Sequence, residues 1–337
     1  MHKKYFPILK AKAGELKAIE TLKPNEKNSL SPVIELLPDS YDSVLTRLTA
    51  SWPFNNNQIL IDPAIILETD SDTTELEELY TRLQEQNVNA IPVLRLNSDE
   101  DYISLVKDYI NEYKSLFCIR ITNDYAKPRT FNALIASMIE DLQTSYDRCI
   151  ILFDLAHSND DNYQHLSNSA IANIKALKSI ESFYQIVTAS GSFPKDLSQI
   201  PAKSEIQLER IEALIWNQIN EEIDYPIFYG DYGIKHPIYD PEVMQFPSTA
   251  SIKYTTKNSY YIFRGIKPKD HPDGNGQYIL HCKSLVTKPE YDSPTFSWAD
   301  NEINTYALKA VTDKPGNAET WVRIGHSRHI SKLLTLL

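Results

Sequence analysis

The stretch Cys149-Ile-Ile-Leu-Phe-Asp154 is a short apolar run that ends in one acidic residue. A run of this length predicts a strand buried on both faces, as in a parallel sheet that is covered by helices. Because side chains alternate along a strand, Asp154 shares its face with Leu152, two residues earlier. The stretch therefore predicts a core strand that carries a carboxylate at its carboxyl end.

The same pattern recurs along the chain, with an ionisable residue two positions after an apolar one. The pairs are Ile8 and Lys10, Val33 and Glu35, Leu60 and Asp62, Val93 and Arg95, and Cys118 and Arg120. Two further apolar runs, Tyr184–Ser190 and Pro226–Asp231, bring the number of predicted strands to eight. Eight strands with polar carboxyl ends on a common face, and room for a helix between them, predict an α/β fold of the (β/α)8 TIM-like barrel type.

The sequence changes character after Tyr232, where helical periodicity gives way to short β-like segments. These segments are Ser251–Tyr254, Tyr260–Arg264, Gln277–Cys282 and Trp321–Ile324. We predict that residues 1–239 form the barrel and that residues 240–337 form an α+β appendage packed on it.

Composition limits the function further. The net charge of -11 disfavours a protein that coats nucleic acid through many phosphate contacts. The sequence has neither an apolar stretch of about 20 residues, as a membrane span needs, nor the apolar core of a signal peptide at its start. Of three cysteines, Cys118 and Cys149 fall inside apolar strands, which is typical of buried thiols in a reducing compartment. We therefore expect a cytoplasmic protein with no membrane partner.

Several distinctive sequence blocks are spread over the whole chain. They are Tyr5-Phe-Pro-Ile-Leu-Lys-Ala-Lys-Ala-Gly-Glu15, Pro32-Val-Ile-Glu35, Gly191-Ser-Phe-Pro194, Arg210-Ile-Glu212 with Trp216, Tyr229-Gly-Asp-Tyr-Gly233, Phe263-Arg-Gly265, Phe296-Ser-Trp-Ala-Asp300 and Trp321-Val-Arg-Ile-Gly-His-Ser-Arg-His329. Together these blocks resemble the beta-protein family of bacteria, prophages and satellite phages. Where the family has Phe-Ser-Trp-Gly-Asp, this chain carries Ala299. The resemblance implies a phage-encoded or phage-defence context, in some satellite phages beside a toxic partner gene, and it implies no particular catalytic activity.

Seven ionisable side chains are predicted to ring the barrel mouth. They are Lys10, Glu35, Asp62, Arg95, Arg120, Asp154 and Asp231. Barrel enzymes keep their active sites at this end of the strands. One interpretation is a catalytic site, and the other is an inert lattice of ion pairs.

The catalytic interpretation uses the three bases and one acid directly. Lys10, Arg95 and Arg120 would clamp the oxygens of a phosphate-bearing ligand, and Asp231 would act as a general base. A metal-free variant pairs Lys10 with Asp62 or Asp231 for proton transfer. We expect Lys10 to lie beside Asp231, across the closure of the barrel.

The remaining acids have the chemistry of metal ligands. Glu35, Asp62 and Asp154 supply the hard oxygen ligands that Mg²⁺ or Mn²⁺ prefers. We expect Glu35 to lie beside Asp62. His326 and His329 are also spaced as metal ligands can be, but in such a pair one histidine is more often a surface or capping residue.

Further contacts to the ligand are predicted around the mouth. The small-residue turn at Ser190 and Gly191 could present backbone N–H groups to an anion, with Tyr229 nearby on the last strand. Arg264 and Gln277, from the appendage, could reach over the mouth.

Two hypotheses for function follow. The first is a component of an anti-phage defence or toxin–antitoxin-like operon that binds, and in the enzyme version hydrolyses, a nucleotide or nucleic-acid end as a metal-dependent phosphodiesterase-like hydrolase. The second is a non-catalytic antitoxin or sensor scaffold that binds a toxic partner protein encoded in the same operon.

Overall fold

The computed structural model describes residues 4–52, 57–123, 130–240 and 249–337. The strands are Tyr5–Lys10 (β1), Val33–Glu35 (β2), Gln58–Asp62 (β3), Asn89–Arg95 (β4), Phe117–Thr122 (β5), Cys149–His157 (β6), Gln185–Gly191 (β7), Glu205–Glu209 (β8), Ile227–Asp231 (β9), Ile252–Thr255 (β10) and Ser259–Phe263 (β11). The α-helices are Ala13–Glu20 (α1), Pro24–Lys27 (α2), Tyr41–Ser51 (α3), Ala64–Leu67 (α4), Thr74–Glu85 (α5), Glu100–Tyr113 (α6), Phe131–Asp141 (α7), Tyr163–Ala176 (α8), Ile211–Glu222 (α9), Gln277–Leu285 (α10), Trp298–Ala307 (α11) and Ala318–Leu336 (α12).

Eight of the strands close into a parallel barrel in the order β1-β2-β3-β4-β5-β6-β7-β9. β9 completes the ring by pairing in parallel with both β1 and β7. The eight predicted barrel strands and the TIM-like fold class are therefore confirmed. Helices occupy the connections, as the length of a parallel crossover requires.

The inside of the barrel is filled by one apolar cluster that follows the period of two along the strands. Its buried members are Phe6, Ile8, Val33, Leu60, Ile91, Val93, Cys118, Ile150, Leu152, Val187, Ala189 and Tyr232. Burying one large aliphatic side chain contributes about 1.5–3 kcal/mol, so the interior is a major source of stability. The cluster also shows which residues of each strand face inward.

The chain forms two compact units. The first, the barrel unit, comprises Met1–Lys12, Pro24–Gly191 and Ile211–Tyr232, and the second comprises Ala13–Lys23, Ser192–Arg210 and Gly233–Leu337. This partition differs from the expected division at residue 239, because two earlier segments belong to the second unit. One contains α1, whose Lys17 pairs with Glu319 of α12, and the other contains β8.

The second unit is built on a three-stranded antiparallel sheet in the order β10-β11-β8, and α10, α11 and α12 also belong to it. The predicted strands at residues 251–254 and 260–264 correspond to β10 and β11. Those at 277–282 and 321–324 are wrong, since both segments lie in helices. In α10 the buried residues Tyr278, Ile279, Cys282 and Leu285 are spaced as on one face of a helix.

A buried ion-pair cluster lies in this second unit. Arg328, which is fully buried, donates from Nη1 to Oδ2 of Asp300 at 3.1 Å and from Nε to the Thr255 carbonyl at 3.1 Å. Its Nη2 pairs with Asp292, which also binds Lys332. Two of the sequence blocks quoted above, one ending at Asp300 and one containing Arg328, therefore meet here in a structural role.

His326 and His329 are both fully buried, so the expectation that one of them is a surface or capping residue is wrong. The His329 ring stacks on Tyr260 at 5.9 Å, and its Nδ1 lies 3.0 Å from Oγ1 of Thr255. His326 packs against Gly233, and a Cβ at that position would lie 2.5 Å from the imidazole Nδ1. The φ of +59° at Gly233 also favours glycine. We assign both histidines to the core.

Cys118, Cys149 and Cys282 are free and buried, as expected for the first two. Burial raises the pKa of the Cys149 thiol well above its ordinary value, which keeps it protonated and unreactive. Across the described parts of the chain, every helix is too short or too polar to span a lipid bilayer.

Candidate functional site

Strand register brings six of the seven predicted mouth residues onto the inner face of the barrel. Lys10 pairs with Glu35, Glu35 with Asp62, and Arg95 with Arg120, on adjacent parallel strands. Asp154 follows the inward Leu152 by two residues on β6. The predicted proximity of Glu35 and Asp62 is confirmed.

Asp231 is the exception, and its predicted position beside Lys10 is wrong. In the register of β9 with β1, Asp231 pairs with Pro7, which alternates with the inward residues Phe6 and Ile8. Its Oδ1 accepts a hydrogen bond of 2.6 Å from the Tyr5 hydroxyl, on the outer face of the barrel sheet. Asp231 therefore cannot serve as a general base inside the mouth.

Tyr232, the next residue, takes the inward position on the last strand. Its hydroxyl donates to Oδ1 of Asp154 at 2.7 Å and accepts from Nη2 of Arg120 at 2.7 Å. Tyr232 was not among the predicted mouth residues, although its spacing of two from Gly230 and four from Phe228 places it on the inner face of the last strand and could have indicated it.

Arg120 is the centre of the mouth, with only 2% of its surface exposed. The guanidinium has five N–H donors, and each makes a hydrogen bond. Nε donates to Oδ2 of Asp154 at 3.0 Å, and Nη2 donates to the same oxygen at 2.7 Å and to Tyr232. Nη1 donates to Glu35 at 3.0 Å and to Asp62 at 2.6 Å. The donors of Arg120 are therefore fully used within the protein.

The other two bases complete the network. Lys10 donates to Oε2 of Glu35 at 3.0 Å, and Nη2 of Arg95 donates to Oδ2 of Asp62 at 2.8 Å. Three carboxylates thus face three cations, so the inward charges sum to zero. We call this set, with Tyr232, the mouth lattice.

The electrostatics of the mouth lattice keep its acids ionised. Burial alone would raise the pKa of Asp62, but the charges of Arg95 and Arg120 outweigh it and lower that pKa below the ordinary 3.8. The pKa of Asp154 is lowered for the same reasons, with burial again opposed by Arg120 and Arg95. Burial raises the pKa of Tyr232 well above 10, so its hydroxyl keeps the proton that it donates to Asp154.

The predicted metal ligands do not form a metal site in this arrangement. Within the described ranges, no three His, Cys, Asp or Glu side chains are grouped as metal ligands. Glu35, Asp62 and Asp154 instead all accept hydrogen bonds from Arg120, whose guanidinium lies between them. An internal cation therefore takes the place that Mg²⁺ or Mn²⁺ was expected to occupy.

Arg95 is the most accessible base of the three, with 19% of its side chain exposed. It lines a cavity of about 250 Å³ together with Asn97, Ser98 and Asp99. Among the described residues, no partner is found for its buried Nε. Arg95 thus retains hydrogen-bonding capacity that Arg120 lacks.

The predicted ligand contacts on the barrel strands lie elsewhere. Ser190 pairs in register with the outward Asp231, and the Gly191 carbonyl lies 3.1 Å from Nδ1 of His157. The Tyr229 ring packs between Tyr5, at 5.7 Å, and Trp216 of α9, at 5.6 Å. Tyr229 therefore belongs to the layer between sheet and helices and not to the mouth.

Arg264 and Gln277 both belong to the second unit. The Gln277 side chain holds a turn, since its amide oxygen accepts from the Ile266 N–H at 2.9 Å and its nitrogen donates to the Gly274 carbonyl at 2.8 Å. Arg264 lines a cleft of its own unit, with Lys253 and Lys267.

Comparison with known proteins identifies relatives over nearly the full length. The profile of the family described as "Beta protein" matches residues 5–335. The chain is 21% identical to "Protein beta" of Enterobacteria phage P4 over 352 residues, which covers 98% of this chain and 93% of the phage protein.

Solved structures show a weaker likeness. A mutant tryptophan synthase alpha-subunit from Pyrococcus furiosus superposes with a TM-score of 0.42 at 6% identity, covering 69% of this chain and 89% of that one. The carboxyl transferase domain of Rhizobium etli pyruvate carboxylase gives a TM-score of 0.31 at 12% identity, covering 98% of this chain and 48% of that one. Neither likeness bears on the chemistry of this chain.

Proposed function

Because the chain belongs to the Beta protein family, we propose that it is a non-catalytic binding protein of a phage-associated operon, with the barrel as its scaffold. Its partner would be a toxic protein encoded in the same operon, and the role would be that of an antitoxin or sensor in phage defence. A phage relative, Protein beta of phage P4, agrees with this context.

The observation that carries the proposal is the saturation of Arg120. A catalytic or ligand-binding arginine needs N–H groups that can turn to a substrate, whereas all five of Arg120 donate to protein atoms. Since the inward charges also balance, an added phosphate would disturb a neutral set of buried charges. The centre of the mouth thus has the properties of a structural lattice.

The energetics of such a lattice also fit a scaffold. Each buried ion costs several kcal/mol in lost hydration, so a buried network adds little net stability when it is complete. Removing one member is costly, because the others remain buried without their partner. We infer that the mouth lattice fixes the register of the barrel strands, which a rigid binding surface requires.

The experiment is co-expression of the chain with its operon neighbour, followed by purification through a tag on the neighbour. We expect the wild type and Arg95→Gln to co-purify in equal amounts and to protect cells equally. Arg95→Gln removes one ion pair of Asp62, so it should lower the melting temperature, but the barrel should stay folded because Asp62 keeps its bond to Arg120. Loss of protection by a folded Arg95→Gln protein would contradict the scaffold.

A second candidate function has one observation in its favour. Arg95 pairs with Asp62 through Nη2, but its buried Nε has no partner among the residues described, and a cavity lies beside it. A phosphate oxygen at this cavity would satisfy Nε. In this hypothesis the chain binds a nucleotide or nucleic-acid end at the rim of the mouth, and hydrolysis would need a base other than Asp231.

Binding of inorganic phosphate distinguishes the two candidates. If the second is right, phosphate should raise the melting temperature of the wild type but not that of Arg95→Gln. An equal response in both proteins, or none in either, would leave the scaffold as the supported function. Arg82→Gln, on an exposed ion pair of α5, serves as a control for loss of one surface arginine.

A further inference from the structure

A cleft of about 560 Å³ lies in the second unit, separate from the mouth lattice. The described residues that line it all belong to this unit. Ligand pockets in proteins usually measure about 300–1,000 Å³, so the cleft can hold a molecule the size of a nucleotide.

The charge of the cleft is opposite to that of the protein. Lys235, Lys253, Arg264 and Lys267 line it, and Asp196 is the acid among its described lining residues. The chain as a whole carries a net charge of -11. Four cations gathered in one concave site of an acidic protein create a local positive potential that attracts an anion.

Arg264 provides an observation that points to a ligand independently of net charge. Its Nη1 donates to the Thr249 hydroxyl, but among the described residues its buried Nε has no partner. A buried donor without an acceptor is costly unless a ligand or water supplies one. Arg264 follows β11 directly, so the sheet fixes the position of its backbone.

Lys253, on β10, is held in place beside Arg264 in the lining of the cleft. Its Nζ donates to the Ile234 carbonyl at 3.1 Å and lies 4.1 Å from the centre of the Phe193 ring. Burial, with the charge of Lys235, lowers the pKa of Lys253 well below its ordinary value. A bound anion would offset the repulsion between these two lysines.

Part of the lining is apolar. Tyr278 and Trp321 stack with ring centres 4.8 Å apart and planes 13° apart, and Ile234 and Val322 also line the cleft. Helix α12 begins at Ala318, another lining residue, so the positive end of its dipole lies at the cleft. The site thus combines cations with an apolar wall, which suits an anion attached to a ring.

We propose that this cleft binds an organic phosphate of nucleotide size, with the phosphate groups on Arg264 and the lysines and the ring against the apolar wall. The site goes beyond the proposed scaffold function and does not depend on it. A bidentate contact from the guanidinium to phosphate oxygens would satisfy the buried Nε.

Isothermal titration calorimetry of the full chain at low salt, with inorganic pyrophosphate, ADP and adenosine as probes, tests the proposal. We expect pyrophosphate to bind, ADP to bind more tightly, and adenosine to bind at least tenfold more weakly than ADP. Arg264→Gln should weaken ADP binding at least tenfold. Lys267→Gln changes an exposed side chain and should weaken it several-fold without affecting folding.

Two variants serve as matched controls. Lys269→Gln removes an exposed lysine two residues from Lys267 and outside the lining, and Arg82→Gln removes an exposed arginine of α5; neither should change ADP affinity. The proposal is overturned if the wild type binds neither ADP nor pyrophosphate, or if Lys267→Gln and a folded Arg264→Gln bind ADP as the wild type does. Loss of binding in Arg95→Gln alone would place the anion at the mouth and would also overturn it.

Discussion

The mouth lattice of the barrel and the cleft of the second unit both contain several cations, but they differ in how many of these cations are paired with acidic side chains. In the mouth, three bases face three carboxylates and every donor of Arg120 is used. In the cleft, four bases face one exposed acid and Arg264 keeps a buried Nε without a partner in the described structure. The first set is balanced in charge and saturated at its centre, although Nε of Arg95 at its edge has no partner among the described residues, whereas the second set has four bases for one acid.

This difference shows how a structural charge cluster can be told from a ligand site. Position alone would favour the mouth, because barrel enzymes act at the carboxyl ends of their strands. Hydrogen-bond completeness excludes the centre of the mouth, where Arg120 is saturated, and the excess of bases over acids favours the cleft, since a binding site must offer donors that the protein does not already satisfy. The Arg328 cluster of the second unit, with Asp292 and Asp300, resembles the mouth lattice in being paired internally.

The largest contrast is expected from removing the arginine of each set. Arg120→Met leaves Glu35, Asp62 and Asp154 buried without their shared partner, and should lower the free energy of unfolding by about 3–5 kcal/mol. Arg264→Met removes a donor that is only partly satisfied, and should cost less than about 1 kcal/mol. Urea unfolding of both variants measures the difference. Equal costs would remove the distinction between the two sites.

A smaller effect of the same kind is expected at Tyr232. Tyr232→Phe removes the hydroxyl between Asp154 and Arg120 and leaves one donor and one acceptor unmet, at a cost of about 1–3 kcal/mol. Tyr278→Phe, in the lining of the cleft, should stay within about 0.5 kcal/mol of the wild type. Thermal unfolding monitored by circular dichroism compares them. A neutral Tyr232→Phe would show that the hydroxyl is not part of the lattice.

Acid should weaken the mouth lattice. The folded pKa values of Asp62 and Asp154 lie below the unfolded value near 3.8. The unfolded chain therefore binds protons first as the pH falls, so the stability from these acids is present above pH 3.8 and is lost as the pH falls through the folded pKa values. Asp62→Asn should lose less stability over this range than the wild type. Identical pH profiles would contradict the assignment.

The sequence was sufficient for the barrel and for most of the mouth. The spacing of two between Leu152 and Asp154, and its repetition on the preceding strands, placed six charges correctly on the inner face. It failed on β9, where apolar residues occupy both faces, with Ile227 and Tyr229 on one and Phe228 on the other. A shift of one residue exchanges the two faces, so Asp231 was assigned to the position that Tyr232 holds.

The sequence could not show whether charged side chains that lie close together also satisfy one another's hydrogen-bonding groups. Arg120 and Glu35 are 85 positions apart, and their hydrogen bond depends on where two long side chains end. The cations of the cleft are likewise scattered between Lys235 and Lys267, with no motif to join them. Only the fold shows that each cation of the first group has a carboxylate partner, whereas the second group has one acid for four bases.

The smallest expected effect concerns Lys253, because one partly buried lysine contributes little to the total stability. Burial and the charge of Lys235 lower the pKa of Lys253 in the folded chain, and the charge of Glu15 offsets only part of this shift. At a pH between the folded pKa and the ordinary 10.5, the unfolded chain therefore binds a proton that the folded chain does not. The free energy of unfolding of the wild type therefore rises with pH in this range, and its value relative to that of Lys253→Met should increase as the pH approaches 10.5. Unfolding in urea at a series of pH values measures the gap between the two proteins, with Lys257→Met, an exposed lysine of the same hairpin, as the control. A stability difference that stays constant with pH would show that the neighbours of Lys253 do not lower its pKa. In the wild type, ADP should raise the folded pKa of Lys253 towards 10.5, because its phosphate groups supply an anion beside the lysine, and the pH range in which stability rises should become narrower.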